Sequence, residues 1–130
     1  MKYRAIVDSL LQLSRDGKSS EVLRILDQFL RDADPASDSV DFVLAVQHAG
    51  VTAEHLGDLQ LAESYYQQGL KASPADPLLL LGIWSIRKRL GDVAGARAYF
   101  GECRRASLAQ ANEEVFATLK ELEARDGDLG

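Results

Sequence analysis

Displacing this chain by 34 residues lays Leu56-Gly57-Asp58 on Leu90-Gly91-Asp92, and no other feature constrains its fold as tightly. The same displacement sets Leu44 on Leu78, Ala62 on Ala96, Tyr65 on Tyr99, Tyr66 on Phe100 and Ala72-Ser73 on Ala106-Ser107. Turn, small and aromatic positions thus superpose together. A fixed period of this length marks a repeated supersecondary unit that buries its apolar face against its neighbours.

The units are helical. Gly17, Asp34-Pro35, Gly57, Ser73-Pro74, Gly91 and Ser107 divide the chain into seven stretches of helix length. Apolar residues recur within them at i, i+3, i+4 and i+7. Val22, Ile25, Leu26, Phe29 and Leu30 form one stripe; Leu59, Ala62, Tyr66, Gly69 and Leu70 a second; Val93, Ala96, Phe100 and Cys103 a third. Val115, Leu119 and Leu122 mark the last helix. None of these stretches alternates as a strand does. Start signals agree: Asp76-Pro77 pairs an N-cap acceptor with a preset φ, Asp58 and Asp92 follow glycines at turns, and Ser107 with Gln110 reads as a capping box opening the final helix. The glycines at 17, 57 and 91 fall where tight turns need positive φ. The expected class is all-α.

The period and its residues resemble the tetratricopeptide repeat. The middle repeat, about residues 43–76, carries the likeness most fully: Gly50 stands at the small position of the first helix, Ala62, Tyr66 and Gly69 form the small–aromatic–small face of the second, and Pro74 closes it. The third repeat, about 77–110, keeps Ala96 and Phe100 but has Trp84 at a usually small position, Arg87 at a usually aromatic one and Leu108 in place of proline. The first, about 3–36, offers Leu13, Gly17, Val22, Leu26 and Phe29, displaced by 40 residues rather than 34. The six extra residues are expected in the Pro35–Val40 linker and a longer third helix. The resemblance implies a single domain over residues 1–130: a right-handed α-solenoid of three helical hairpins, closed by a capping helix at about 108–125. On that helix Val115, Leu119 and Leu122 face inward and Glu113, Glu121 and Arg125 face water, and the tail after it lies loose.

Chemistry-bearing constellations are sparse. His48 and His55, seven residues apart, sit about 10 Å apart along a helix axis, whereas a metal needs both nitrogens at about 2 Å. They read as surface or groove histidines. Cys103 falls on the face that packs between helices, far from either histidine, and reads as a buried inert thiol. No phosphate-cradling glycine loop, serine elbow or paired-carboxylate motif occurs, which argues against an enzyme and against a cofactor or metal. The net charge of −5 argues against nucleic acid, which rewards clustered positive charge. One basic cluster stands out, Arg87-Lys88-Arg89 with Arg104-Arg105; it reads first as a solvated helix face and second as a docking patch for an acidic partner. The longest apolar run, Pro77 to Trp84, is shorter than the roughly 20 residues a membrane span needs. With one cysteine no intrachain disulfide forms, and a reducing cytoplasmic setting is the expectation.

In tetratricopeptide proteins the first helices of successive hairpins line a concave groove that receives a peptide or helix of a partner. The resemblance places Arg4, Val7, Asp8, Leu11 and Arg15 there from the first hairpin, and Leu44, Gln47, His48, Val51, Glu54 and His55 from the second. Leu78, Leu81, Gly82, Ser85, Lys88 and Arg89 come from the third. Members that grip the acidic tails of heat-shock chaperones use a clamp of lysine, asparagine and arginine. The matching places here hold Val7, Leu11, His48, Leu78 and Gly82, so affinity for such tails is not expected. The surface is instead an apolar trough rimmed by His48, His55 and Lys88, suited to an amphipathic helix. The competing possibility is that a short array folds these leucines into its own core. The expected function is a protein-interaction module, adaptor or chaperone-like, scaffolding a partner. The alternatives are a self-assembly module forming homo-oligomers, or a regulatory segment of a larger protein.

Overall fold

A computed structural model describes residues 2–110 and 112–126. Among them lie seven helices and no strand: α1 (Tyr3–Arg15), α2 (Ser19–Asp32), α3 (Ser39–His55), α4 (Leu59–Ala72), α5 (Pro77–Arg89), α6 (Val93–Ala109) and α7 (Glu113–Asp126). The chain is all-α, as its helical spacing predicts. It divides into two compact units, Met1–Ser73 with α1 to α4 and Pro74–Gly130 with α5 to α7. The expected loose tail after α7 lies outside the described residues.

Three turns share one construction. Gly17, Gly57 and Gly91 adopt φ of 75°, 84° and 79°, the left-handed region glycine enters without penalty. In each, the next amide reaches back to a carbonyl five residues earlier: Lys18 to Leu13, Asp58 to Ala53 and Asp92 to Arg87. This 6→1 bond terminates the helix and satisfies one of its orphan carbonyls. The aspartate then caps the following helix. Asp58 accepts from the Leu61 amide at 3.1 Å, and Asp92 from the Gly95 amide at 2.9 Å. Asp76 accepts from the amides of Leu78 and Leu79 ahead of Pro77 at the first turn of α5. The extra residues of the first interval lie in the linker and in α3, which has 17 residues against 13 in α1 and α5; the linker spans 33–38, Ser39 and Val40 belonging to α3 rather than to the expected Pro35–Val40 stretch.

In the first unit α2 packs on α1 and α3, and α3 packs on α4. The residues of α3 explain how closely. Ala45, Ala49, Gly50 and Ala53 are buried on it, leaving little side chain between its backbone and its neighbours. Gly50 lies under the ring of Tyr66 from α4, whose hydroxyl donates to Glu54 at 2.7 Å. Burial pushes the Tyr66 phenol well above its ordinary pKa, so it remains a donor. The Tyr65 hydroxyl donates to Asp27 of α2 at 3.1 Å, tying α4 to one flank of that helix. Leu10, Val22 and Leu26 are fully buried.

In the second unit α5 packs on α6, and α6 on α7. Trp84 is buried, its ring centroid 5.8 Å from that of the fully buried Phe100. The indole N–H of Trp84 finds no acceptor among the described residues. Val115 and Leu119 of α7 are buried and Leu122 is half-buried, while Glu113, Glu121 and Arg125 are exposed. Arg104 of α6 pairs with Glu123 of α7.

The start of the last helix also differs from the sequence expectation. Ser107 does not open the last helix; it lies inside α6, buried, its hydroxyl donating to the Cys103 carbonyl at 2.7 Å. The cap of α7 is Asn112, whose side chain accepts from the Val115 amide at 3.1 Å. Serine satisfies itself inside a helix by bonding four residues back, so a serine followed three residues on by glutamine marks a start only where the helix has already ended.

Candidate docking surfaces

In the first unit, Tyr3 fixes α1 against α3. Its hydroxyl lies 2.7 Å from His48 Nδ1, and the two rings meet edge-on, centroids 5.9 Å apart. Val7 and Leu11 continue the Tyr3 row along α1 at four-residue steps. Leu44, Val51 and His55 share a face of α3 with His48. The two rows therefore border each other. Leu11 (41%), Leu44 (42%) and Val51 (57%) are exposed, a high value for large apolar side chains. His55 is exposed at the helix end, while Val7 and Gln47 are half-buried. His48 is half-buried under Tyr3, and that burial lowers its pKa. No local pattern marks Tyr3, 45 residues away, as its cover.

In the second unit, α5 presents Leu78, 48% exposed, with Lys88 and Arg89 also exposed and Leu81 and Ser85 half-buried. Lys88 Nζ stands 5.2 Å over the Trp84 ring, a cation–π contact that also shields the indole. The basic cluster is partly committed within the unit: Arg87 lies 3.6 Å from Asp92, and Arg104 pairs with Glu123.

Cys103 is a sealed group. Its side chain is fully buried, its Sγ donates to the Pro77 carbonyl at 3.1 Å, and burial pushes the thiol up to about 11, the Asp76 charge adding to the effect. The thiolate is the nucleophile. From that pKa, Cys103 is expected to alkylate at least about 100-fold more slowly than a free cysteine at pH 8, and to reach the free rate in denaturant. Stopped-time iodoacetamide labelling followed by mass spectrometry checks this; native labelling within tenfold of the free rate would contradict the buried position. No group of three or more histidine, cysteine or acidic side chains among the described residues could hold a metal ion, and no helix among them is long and apolar enough to cross a membrane.

A further feature escaped the sequence reading. A cleft of about 300 Å³ opens beside α2 in the first unit, walled by Ile6 of α1 and by Ile25, Gln28 and Phe29 of α2, with Arg24, Asp32 and Asp38 at its rim. Spacing carries no signal for it: Val22, Ile25, Leu26, Phe29 and Leu30 follow the i, i+3, i+4, i+7, i+8 pattern of a single core-facing stripe.

No protein-family model, curated protein or solved structure matches the chain.

Proposed function

We propose that this chain is a tetratricopeptide-like protein-interaction module whose first helices hold an amphipathic helix or extended apolar segment of a partner. The observation that carries the reading is the exposure of Leu11, Leu44 and Val51 along the neighbouring rows of α1 and α3. Apolar side chains grouped on one surface mark a binding face more often than scattered ones do. The 34-residue period and the seating of Tyr66 over Gly50 support the family likeness, in which first helices carry the contact surface. In this reading Leu44 and Val51 are anchors, Val7, Leu11, Gln47 and His55 complete the surface, and His48 is a rim group held by Tyr3. On α5, Leu78 and Leu81 play the anchoring part and Ser85, Lys88 and Arg89 the polar one.

A photo-activatable phenylalanine analogue at Val51 is expected to cross-link a partner in the native cell. The same group at the exposed Gln68 of α4 is not. With that partner in hand, Val51→Glu and Leu44→Glu should each weaken binding at least about tenfold, or about 1.4 kcal/mol, with helicity and melting temperature unchanged. Equal cross-linking from both sites, or unchanged affinity in both variants, removes this reading.

A further inference from the structure

The cleft beside α2 is separate from the surface just described, and its charges are arranged with a symmetry of their own. Along one flank of α2 run Ile25, Gln28, Phe29 and Asp32, at i, i+3, i+4 and i+7. The opposite flank carries Asp27, which accepts the Tyr65 hydroxyl of α4. One side of α2 is therefore occupied by a helix of the same unit, while the other opens into the cleft. Arg24 and Asp32 lie at the rim, each four residues from Gln28. Both have weak commitments at present. Arg24 pairs with Glu21 in an exposed i, i+3 contact, and Asp32 accepts from Gln28 at 3.3 Å. Such exposed pairs are worth little and re-form easily with other partners.

We infer that this flank of α2 binds the same flank of a second copy of the chain, the two α2 helices crossing antiparallel about Gln28. A two-fold axis at that point sets Arg24 of each copy opposite Asp32 of the other, closing two ion pairs at once. The half-buried Ile25 of each copy then packs on the apolar wall formed by Ile6 and the edge of the buried Phe29. A contact of this kind is isologous and stops at two copies. The rim also disfavours a small charged ligand. A small anion would meet Asp32 and Asp38, and a small cation Arg24, the Arg24 and Asp32 charges standing about 12 Å apart along the helix. A helix bearing the mirrored sequence of charges satisfies both, and α2 itself is such a helix.

One helix face and its flanks make a small contact, so the dimer is a weak one that forms with rising concentration. Sedimentation velocity on the full chain, up to about 1 mM, is expected to show a reversible monomer–dimer equilibrium in the micromolar range. Ile25→Glu should weaken it at least tenfold. Arg24→Asp and Asp32→Arg should each abolish it, since each variant then presents like charges to itself. The double variant Arg24→Asp/Asp32→Arg should restore it, and an equimolar mixture of the two single variants should form a heterodimer. This restoration separates loss of the contact from loss of the fold, because all three positions lie outside the fully buried core. A chain that stays monomeric at the highest concentration overturns the inference. So does a dimer indifferent to the charge exchange, or one abolished by Leu44→Glu instead. The inference stands independently of the proposed function: Val51→Glu should leave the dimer intact, and Arg24→Asp should leave partner binding intact.

Discussion

Gly50→Leu is expected to unfold the first unit, and Gly50→Ala to cost it about 1 kcal/mol net even though alanine is the better helix former. A Cβ built at position 50 would stand 2.6 Å from the Tyr66 Cζ and 2.8 Å from its Cδ1. Those atoms belong to a rigid ring that is 2% exposed and held at its far end by Glu54. The ring cannot swing aside as a flexible chain end would, so either the ring or the helix spacing must give. Overpacking of this kind costs about 1–3 kcal/mol for one methyl group, more than the roughly 1 kcal/mol gained in helix propensity. A leucine adds three more carbons to the same place. Denaturant unfolding followed by circular dichroism gives the magnitudes. The decisive measurement is the sign in a second background. With Tyr66→Leu already present the obstruction is gone, and Gly50→Ala should become stabilising by about 1 kcal/mol. If the alanine destabilises equally in both backgrounds, the contact between Gly50 and Tyr66 is not what fixes glycine there.

Phe100→Ala is expected to destabilise the second unit by about 3–5 kcal/mol. Phe100 is fully buried and forms the wall against which Trp84 rests. Removing it leaves a cavity and uncovers an indole whose N–H already lacks an acceptor among the described residues. Trp84 is the one tryptophan of the chain, so its fluorescence follows the second unit without interference. The transition should move down by more than about 12 °C in a unit of this size, with red-shifted emission. Val93→Ala serves as the companion variant. Val93 belongs to the same sequence stripe as Phe100, yet it is 63% exposed, and its loss should change stability by less than about 0.5 kcal/mol. A penalty below 1 kcal/mol for Phe100→Ala, or equal penalties at the two positions, would contradict the packing described.

The contrast between Val93 and Phe100 shows how far the sequence could be read. Turns were legible because their chemistry is local: glycine for positive φ, then an aspartate capping the next helix, at 57–58 and 91–92 alike. Helix number and the apolar faces of α4 and α6 followed from spacing. What spacing cannot decide is which members of a stripe find a neighbour. Val93 opens α6 at its first turn and finds none, whereas Ala96, Phe100 and Cys103 are buried. Ser107 misled for a related reason, since its hydroxyl is satisfied either at a helix start or within a turn of helix. Of the surface positions that the family likeness proposes, Leu11, Leu44, Val51 and Leu78 are exposed while Val7, Gln47, Leu81 and Ser85 are half-buried, a difference that helical spacing alone does not encode. The covering of His48 by Tyr3 was not legible, because it depends on the path of the chain across 45 residues. The cleft beside α2 was hidden inside a stripe that looked like a single core face.

The seat of Cys103 has a chemical consequence beyond labelling. A lone cysteine sealed in this way has little use for reductants. Oxidation to sulfenic acid begins from an accessible thiolate, and mixed disulfides need a second sulfur to approach in line. Behind Pro77 and the packed face of α6 neither condition is met. In the folded molecule the Cys103 thiol is therefore expected to oxidise far more slowly than a free one.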